Sequence, residues 1–520
     1  MIATSCVPAT QAGHDILRRG GSAVDAAIAA DAVLGVVEPQ QTGIGGDLFA
    51  IVCDDDRGIR VYNGSGRAPM AIDVAAVASA CGGLAPESIH AVTIPGTVDA
   101  WCRLHAEHGR LPLDALLESA ISLAEDGYPV SPRVAFDWQA QAGRLRNDPD
   151  ASRCFLPGGT APRAGDRIRN PALAETLRAV ARNGRAGFYD GAVASALVAD
   201  LRHRGGSHTL ADFAAAACQT TSTISTRYQG FEIHGCPPNG QGVVALLALD
   251  VLAGLGLDRL DPASGERMHL HLEAVRAAQR LRNDLCGEEQ PASTAIDQRA
   301  SAAGSARRRD KIARTLRAAI SPRHSVAHAA HGGAGGPGPA NTVYLCAVDA
   351  DGKSVSLMSS LYHYFGSGLC SGTTGVLFHS RGAGFALDEG APNRLRGGAR
   401  PPHTLMPALM TEGVHAAMPF GVMGGDYQPF GQAFVLSNML DYGMDPQEAL
   451  DAPRALLDDA GTWLERGIAP AVCDELARRG HRVATSPLPL GGGQAIRIDR
   501  RRGVLIAASD GRKDGCALGC

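Results

Sequence analysis

The sequence predicts a mixed α+β fold, on three observations. Residues 342–349 and 353–361 are two β-prone runs rich in Val, Leu and Tyr, joined by a turn that contains Gly352. Residues 24–34 form an apolar helical stretch opened by Ser22-x-x-Asp25, the pattern in which a serine and an acidic side chain cap each other's backbone N–H groups. Phe49-Ala-Ile-Val52 is a short apolar run of buried-strand length.

Along the chain, residues 7–130 alternate helical and strand patterns with glycine punctuation, and 173–201 read as helical except at Gly184 and around Gly187-Phe-Tyr. Residues 228–234 read as one strand leading into Pro237-Pro-Asn-Gly-Gln-Gly242 and then an apolar helix over 243–252. That glycine loop is a strand-to-helix turn, and as the entrance to a helix it could also meet an anion. From Glu288 to Ala340 the composition shifts to Ala, Ser, Gly, Arg and His, which marks a flexible segment over about 288–341, and the run 331–340 has no periodicity at all. Within it, Arg307-Arg-Arg309 reads as a solvated face. Asp445-Pro446 starts a helix with Asp as N-cap and Pro at the first position, and 494–498 and 503–507 are final strands flanking the turn at 499–502.

Composition excludes several classes. The 45% hydrophobic content of a 520-residue chain supplies a large core, in two domains or in one layered sandwich. A formal net charge of −4 leaves no basic footprint for nucleic acid. Thirteen scattered cysteines without a C-x-x-C pair form neither a disulfide framework nor a zinc site, so no metal is expected, and Cys346 inside the hairpin reads as a packing residue. The absence of a long apolar run or an apolar leader leads to an expected cytoplasmic location without membrane contact. The glycine loops 43–46 and 421–425 match no phosphate-binding motif.

The chemistry centres on Asn341-Thr342. Thr342 opens a buried strand directly behind a loop, where it is either an ordinary strand residue or a nucleophile. A threonine nucleophile needs a base, and the α-amino group of the same residue, with a pKa near ~8, can take the hydroxyl proton at neutral pH. That amine exists only if the chain is cut before Thr342. With Asp351-Gly352 as a two-residue turn Thr342 faces Leu361, and moving the turn back by one residue brings Ser359 opposite it. In both registers the Ser359-Ser360 hydroxyls lie beside the threonine.

Further motifs give this hairpin a setting: Gly20-Gly21-Ser-Ala-Val-Asp, Gly43-Ile-Gly-Gly-Asp47, Ile94-Pro-Gly-Thr-Val98, Leu123-Ala-Glu-Asp-Gly-Tyr-Pro129, Phe365-Gly-Ser-Gly368, Arg400-Pro-Pro-His-Thr404 and Gly421-Val-Met-Gly-Gly425. In this order and spacing the chain resembles the γ-glutamyltranspeptidase family of N-terminal-nucleophile hydrolases along nearly its whole length. The resemblance implies a four-layer αββα sandwich with helical elaborations, and cleavage between Asn341 and Thr342. A large subunit, 1–341, and a small one, 342–520, would then share one sandwich, with a homo-oligomer of this pair possible. It implies Thr342 as nucleophile, the Gly424 and Gly425 N–H groups as an oxyanion hole, and Ser360 as the hydroxyl that contacts the nucleophile. Tyr362, His403 and Thr404 fall at substrate-binding positions, and no cofactor is needed.

Two departures limit the substrate. Where glutamyl-transferring members carry an arginine ahead of an Ala-Pro pair, this chain has Ser65, with Arg67 displaced by two positions; where they carry an aspartate before a phenylalanine, Gly384 precedes Phe385. Losing two charged contacts, each worth ~1.5 to 3 kcal/mol, disfavours a glutamyl substrate unless another cation compensates. Arg67, Arg381 and Arg400 are the candidates. In these details the chain is closer to the branch with oxamate amidohydrolase and cephalosporin or glutaryl acylases. The expectation is therefore a self-cleaving amide hydrolase acting on a small substrate such as a γ-glutamyl compound, with an oxamate-type or acylase activity as the alternative. In a different class, an unprocessed chain would serve as a binding protein.

Overall fold

The computed structural model describes residues 1–55, 57–81, 84–286, 295–320 and 342–520. Asn341 and the run 331–340 lie outside the described residues.

Thirteen strands build the two large sheets: β1 (Ile2–Thr4), β2 (Asp47–Asp54), β3 (Gly58–Gly64), β4 (Gln219–Thr221), β5 (Ile224–Tyr228), β6 (Phe231–Gly235), β7 (Val343–Val348), β8 (Ser354–Ser360), β9 (Ala408–Glu412), β10 (His415–Met423), β11 (Gly492–Asp499), β12 (Val504–Ser509) and β13 (Cys516–Leu518). One sheet runs β13-β1-β7-β8-β2-β3-β4 and the other β12-β11-β10-β9-β6-β5. Each interleaves strands from before and after residue 342, so neither side of that point is a folding unit by itself.

Apolar alternation divides the core. Side chains on one face of the first sheet, among them Phe49, Ile51, Tyr344 and Met358, share a cluster with Leu409, Met423 and Ile496 of the second. The opposite face of the first sheet, with Leu48, Ala50, Val343 and Leu357, packs on the Val7–Arg18 and Ala23–Val37 helices. The second sheet's other face, with Met410, Phe420 and Ala495, packs on the Gly242–Leu252, Gly265–Gln279 and Gln428–Leu440 helices. Helices with apolar residues all round, such as Ala23–Val37, belong in such covered layers.

Local readings hold in most places. Ser22 and Asp25 form the reciprocal cap, and Asp445 caps the Pro446–Asp451 helix jointly with Glu448. The stretch 228–234 differs. It is the bend of a hairpin, Gln229 and Gly230 at φ +48° and +87° turning β5 into β6. The expected flexible segment also differs in part. Residues Ala295–Ala319 form a helix, and Arg309 anchors it with Nε 2.6 Å from Asp250 and Nη2 donating to the Ser225 carbonyl at 2.6 Å. A composition poor in large apolar residues concealed a helix that docks through buried arginine and Ala313.

The β7–β8 register corrects both expected pairings. Val348 pairs with Ser354 and Val343 with Ser359, so Thr342 stands opposite Ser360. The loop has three residues, 350–352, with Gly352 at φ +82°. Asp349 selects it by accepting from the N–H groups of Asp351 and Lys353, both at 3.1 Å, while its other oxygen accepts from the Ala23 N–H at 3.0 Å.

Candidate active site

Thr342 is fully buried at the head of β7. Its Oγ1 donates to Ser360 Oγ at 3.4 Å, a long contact, and the same Ser360 oxygen accepts the Tyr362 N–H at 2.8 Å. That second bond holds Tyr362 at φ +78°, a left-handed conformation uncommon for a tyrosine. Behind the pair, Ser359 Oγ lies 2.5 Å from Thr42 Oγ1.

Gly424 and Gly425 follow β10, at φ +135° and +56°, before the chain enters the Gln428–Leu440 helix. Glycine is required here: a Cβ on Gly424 would come 3.1 Å from Gly491 Cα, and φ is positive at both positions. With Tyr362 these glycines line a cavity of about 530 Å³, whose wall also includes Asp426, Gly491 and Lys513. Gln241, from the loop that sequence reasoning treated as a turn, ties this corner together. Its Nε2 donates to the carbonyls of Thr404 at 2.8 Å and Gly425 at 3.2 Å. A glutamine between two glycines at a helix entrance was the available signal.

Arg381 is fully buried and off the cavity wall, its guanidinium 4.0 Å from the Tyr362 ring centroid and its Nη1 donating to Thr404 Oγ1 at 3.0 Å. Its Nε and Nη2 have no hydrogen-bond partner among the described residues. Burial lowers its pKa to about 10, so it remains a cation at neutral pH. A desolvated guanidinium with two open donors, next to a cavity, suits a carboxylate.

The other expected substrate residues stand elsewhere. His403 is buried outside the cavity wall: the Leu405 N–H donates to its Nδ1 at 3.3 Å, which leaves the proton on Nε2, 3.0 Å from Asp47 Oδ2. Burial, aided by Arg381, pushes its pKa down to about 3, so it is a neutral structural group. Asp47 also accepts the Gly66 N–H at 3.1 Å and is paired with Ser360 across β2 and β8, so His403 acts on the site only as a brace. Arg67 is exposed, its Nη1 donating to the Gly398 carbonyl at 2.7 Å, and is not part of the wall. Arg400 is held by the carbonyls of Ser65 and Ala217, both at 3.0 Å, and by Gln219. The Gly43–Gly46 turn packs against backbone rather than a ligand, since a Cβ on Gly46 would fall 2.5 Å from the Ser360 carbonyl oxygen.

One further buried cluster, His269, Glu273 and His481, has ligand-type atoms within 4.8 Å of one another. Its imidazoles are already engaged: His269 Nδ1 lies 2.8 Å from His481 Nε2, and His481 Nδ1 lies 2.9 Å from Thr462 Oγ1.

This geometry has counterparts. The family model of γ-glutamyltranspeptidase matches residues 9–520. The chain belongs to the γ-glutamyltranspeptidase family. It is 34% identical to the glutathione hydrolase-like YwrD proenzyme of Bacillus subtilis, over 98% of this chain and 96% of that protein. It is 33% identical to the oxamate amidohydrolase proenzyme of Klebsiella pneumoniae, over 98% and 96%. A crystal structure of cephalosporin acylase from Bacillus halodurans superposes with a TM-score of 0.89 at 36% identity, covering 100% of this chain and 96% of that one. The chain is thus an amidohydrolase/acylase of the γ-glutamyltranspeptidase family, with relatives made as proenzymes.

Proposed function

We propose that the chain cuts itself between Asn341 and Thr342, and that the new N-terminal Thr342 then hydrolyses a small amide through an acyl-enzyme. The observation that carries this reading is Thr342 at the head of β7, fully buried, with its Oγ1 on Ser360. In the first stage the Thr342 hydroxyl attacks the Asn341 carbonyl, an N-to-O acyl shift gives an ester, and water releases the amine. In the second, that amine takes the hydroxyl proton while Oγ1 attacks the substrate carbonyl, and Ser360 orients the nucleophile. The Gly424 and Gly425 N–H groups receive the oxyanion, each worth roughly 3 kcal/mol. Water, or an amine acceptor, releases the acyl group.

The three cores and two sheets fit a four-layer αββα sandwich made by subunits 1–341 and 342–520 together. For the acyl group, Arg381 is the available cation. Ser65 is bound by the Asn239 amide, and Gly384 offers no carboxylate for an α-amino group, so both glutamyl contacts are missing. An acyl chain that carries a carboxylate without an α-amino group, glutaryl or oxalyl, fits best, in keeping with relatives named for oxamate hydrolysis and acylase activity.

Intact mass measurement of the 53.8 kDa chain and of Thr342→Ala tests the reading. The wild type is expected to give two pieces ending and beginning at residues 341 and 342, and the variant a single chain without turnover of glutaryl anilide, oxamate or γ-glutamyl anilide. A Thr342→Ala chain that still divides there, or that keeps full turnover, overturns it.

A further inference from the structure

We propose that Lys513 is a specificity-determining residue that receives a carboxylate on the amine half of the substrate, the half that leaves when the amide is cut. This rests on reading the cavity beside Gly424 and Gly425 as the substrate site.

Five cations line that cavity: Arg133, Arg276, Arg280, Arg282 and Lys513. Four are engaged. Arg133 Nη2 lies 2.8 Å from Asp137, Arg276 lies 3.8 Å from Glu273, Arg282 is paired with Asp426, and Arg280 has contacts of its own. Lys513 is different: its backbone N–H donates to Asp510, but its ammonium has no hydrogen-bond or ion-pair partner among the described residues. It is partly buried, and desolvation, followed by the nearby Arg133, lowers its pKa against the opposing pull of Asp137, Glu38 and Asp510, none of which is in ion-pair contact with it. An ammonium that carboxylates influence but none contacts directly gains from an anion delivered by a ligand.

Its position is built. The Lys513 stem lies where a Cβ on Gly492 would be, 2.7 Å from Lys513 Cγ, so glycine at 492 keeps the passage along which the side chain reaches the cavity. Gly491, the preceding residue, is the one whose Cα a Cβ on Gly424 would meet. Lys513 therefore approaches the glycine turn through Gly491 and Gly492, whereas Arg381 approaches it through Thr404, Gln241 and Gly425. An amide with its oxygen at that turn has two substituents, which leave its carbonyl carbon in different directions. With the acyl carboxylate at Arg381, the nitrogen substituent is the one that runs towards Lys513.

Two anilides with one acyl group, glutaryl-4-nitroanilide and glutaryl-3-carboxy-4-nitroanilide, differ only in a leaving-group carboxylate. The processed wild type is expected to favour the carboxylated anilide by about tenfold in kcat/KM, the scale of one charge-assisted hydrogen bond. That ratio should fall to about one in Lys513→Gln and recover in part in Lys513→Arg, as simple misfolding would not produce. Calorimetric binding of the free amine, 5-amino-2-nitrobenzoate, gives a readout independent of turnover, with about tenfold weaker binding expected in Lys513→Gln. An unchanged ratio or unchanged benzoate binding in Lys513→Gln overturns the proposal. Lys513-dependent benzoate binding without turnover of either anilide supports it and counts instead against the amide-hydrolase reading.

Discussion

His403 shows how a residue in a family motif can serve the site without touching substrate. Leu405 fixes its tautomer, Asp47 accepts its proton, and Phe49 packs at 4.7 Å between ring centroids. With a pKa pushed to about 3 by burial, it has no proton to exchange between pH 5 and 8. Replacing it by glutamine should therefore leave the shape of the pH–rate profile in that range unaltered, while lowering stability by about 1–3 kcal/mol through the orphaned Asp47. A profile that loses a limb in the variant would make His403 an acid–base group after all. Arg67 teaches the converse: it is one of three candidate cations and the one beside Ala68-Pro69, yet Arg381, over three hundred residues away, is the one held buried with donors open.

Among elements, the β7–β8 hairpin decides where Thr342 meets Ser360. Its two strands were legible from Val, Leu and Tyr content and from Gly352, but the register was not, because the turn is selected by one side chain with a distant commitment. Asp349 serves both the loop and the N-terminus of the Ala23–Val37 helix. Asp349→Ala should release three buried or half-buried N–H groups and destabilise the fold by roughly 2–4 kcal/mol, read as a drop in denaturation midpoint. Should the midpoint hold, the loop is set by Gly352 alone. The Ala295–Ala319 helix was illegible for a related reason. Its docking depends on single contacts such as Arg309 with Asp250, which no periodicity reports.

At the scale of the whole molecule, burying the Ala23–Val37 layer also buries carboxyls. Burial raises Asp31, bonded by the Trp101 indole, and Glu38, bonded by Ser5, each to about 7. In the unfolded chain such groups titrate near ~4. Between these values the folded state binds more protons than the unfolded one, so this contribution makes stability fall as pH rises from about 4 to about 7, and level off above that. Equilibrium unfolding across that range, compared with an Asp31→Asn, Glu38→Gln chain, should show a shallower decline in the variant. Identical slopes would mean the two carboxyls are ionised in the fold.

The sequence by itself determined the elements whose signals are local: capped helices, the apolar strands, the glycine turn after β10, and the ordered motifs that mark the family. It also singled out Thr342, Ser360, Gly424 and Gly425, which stand in or beside one corner of the structure. Tertiary structure alone decided the register that sets Thr342 against Ser360, the burial of Arg381 with open donors while Arg67 and Arg400 bind backbone carbonyls, the bracing contacts of His403, and the placing of Gln241 and Lys513 beside the turn. The physical reason is range: caps and periodicity act within a few residues, whereas desolvation, charge pairing and backbone approach depend on groups that only the packed sheets and their helices bring together.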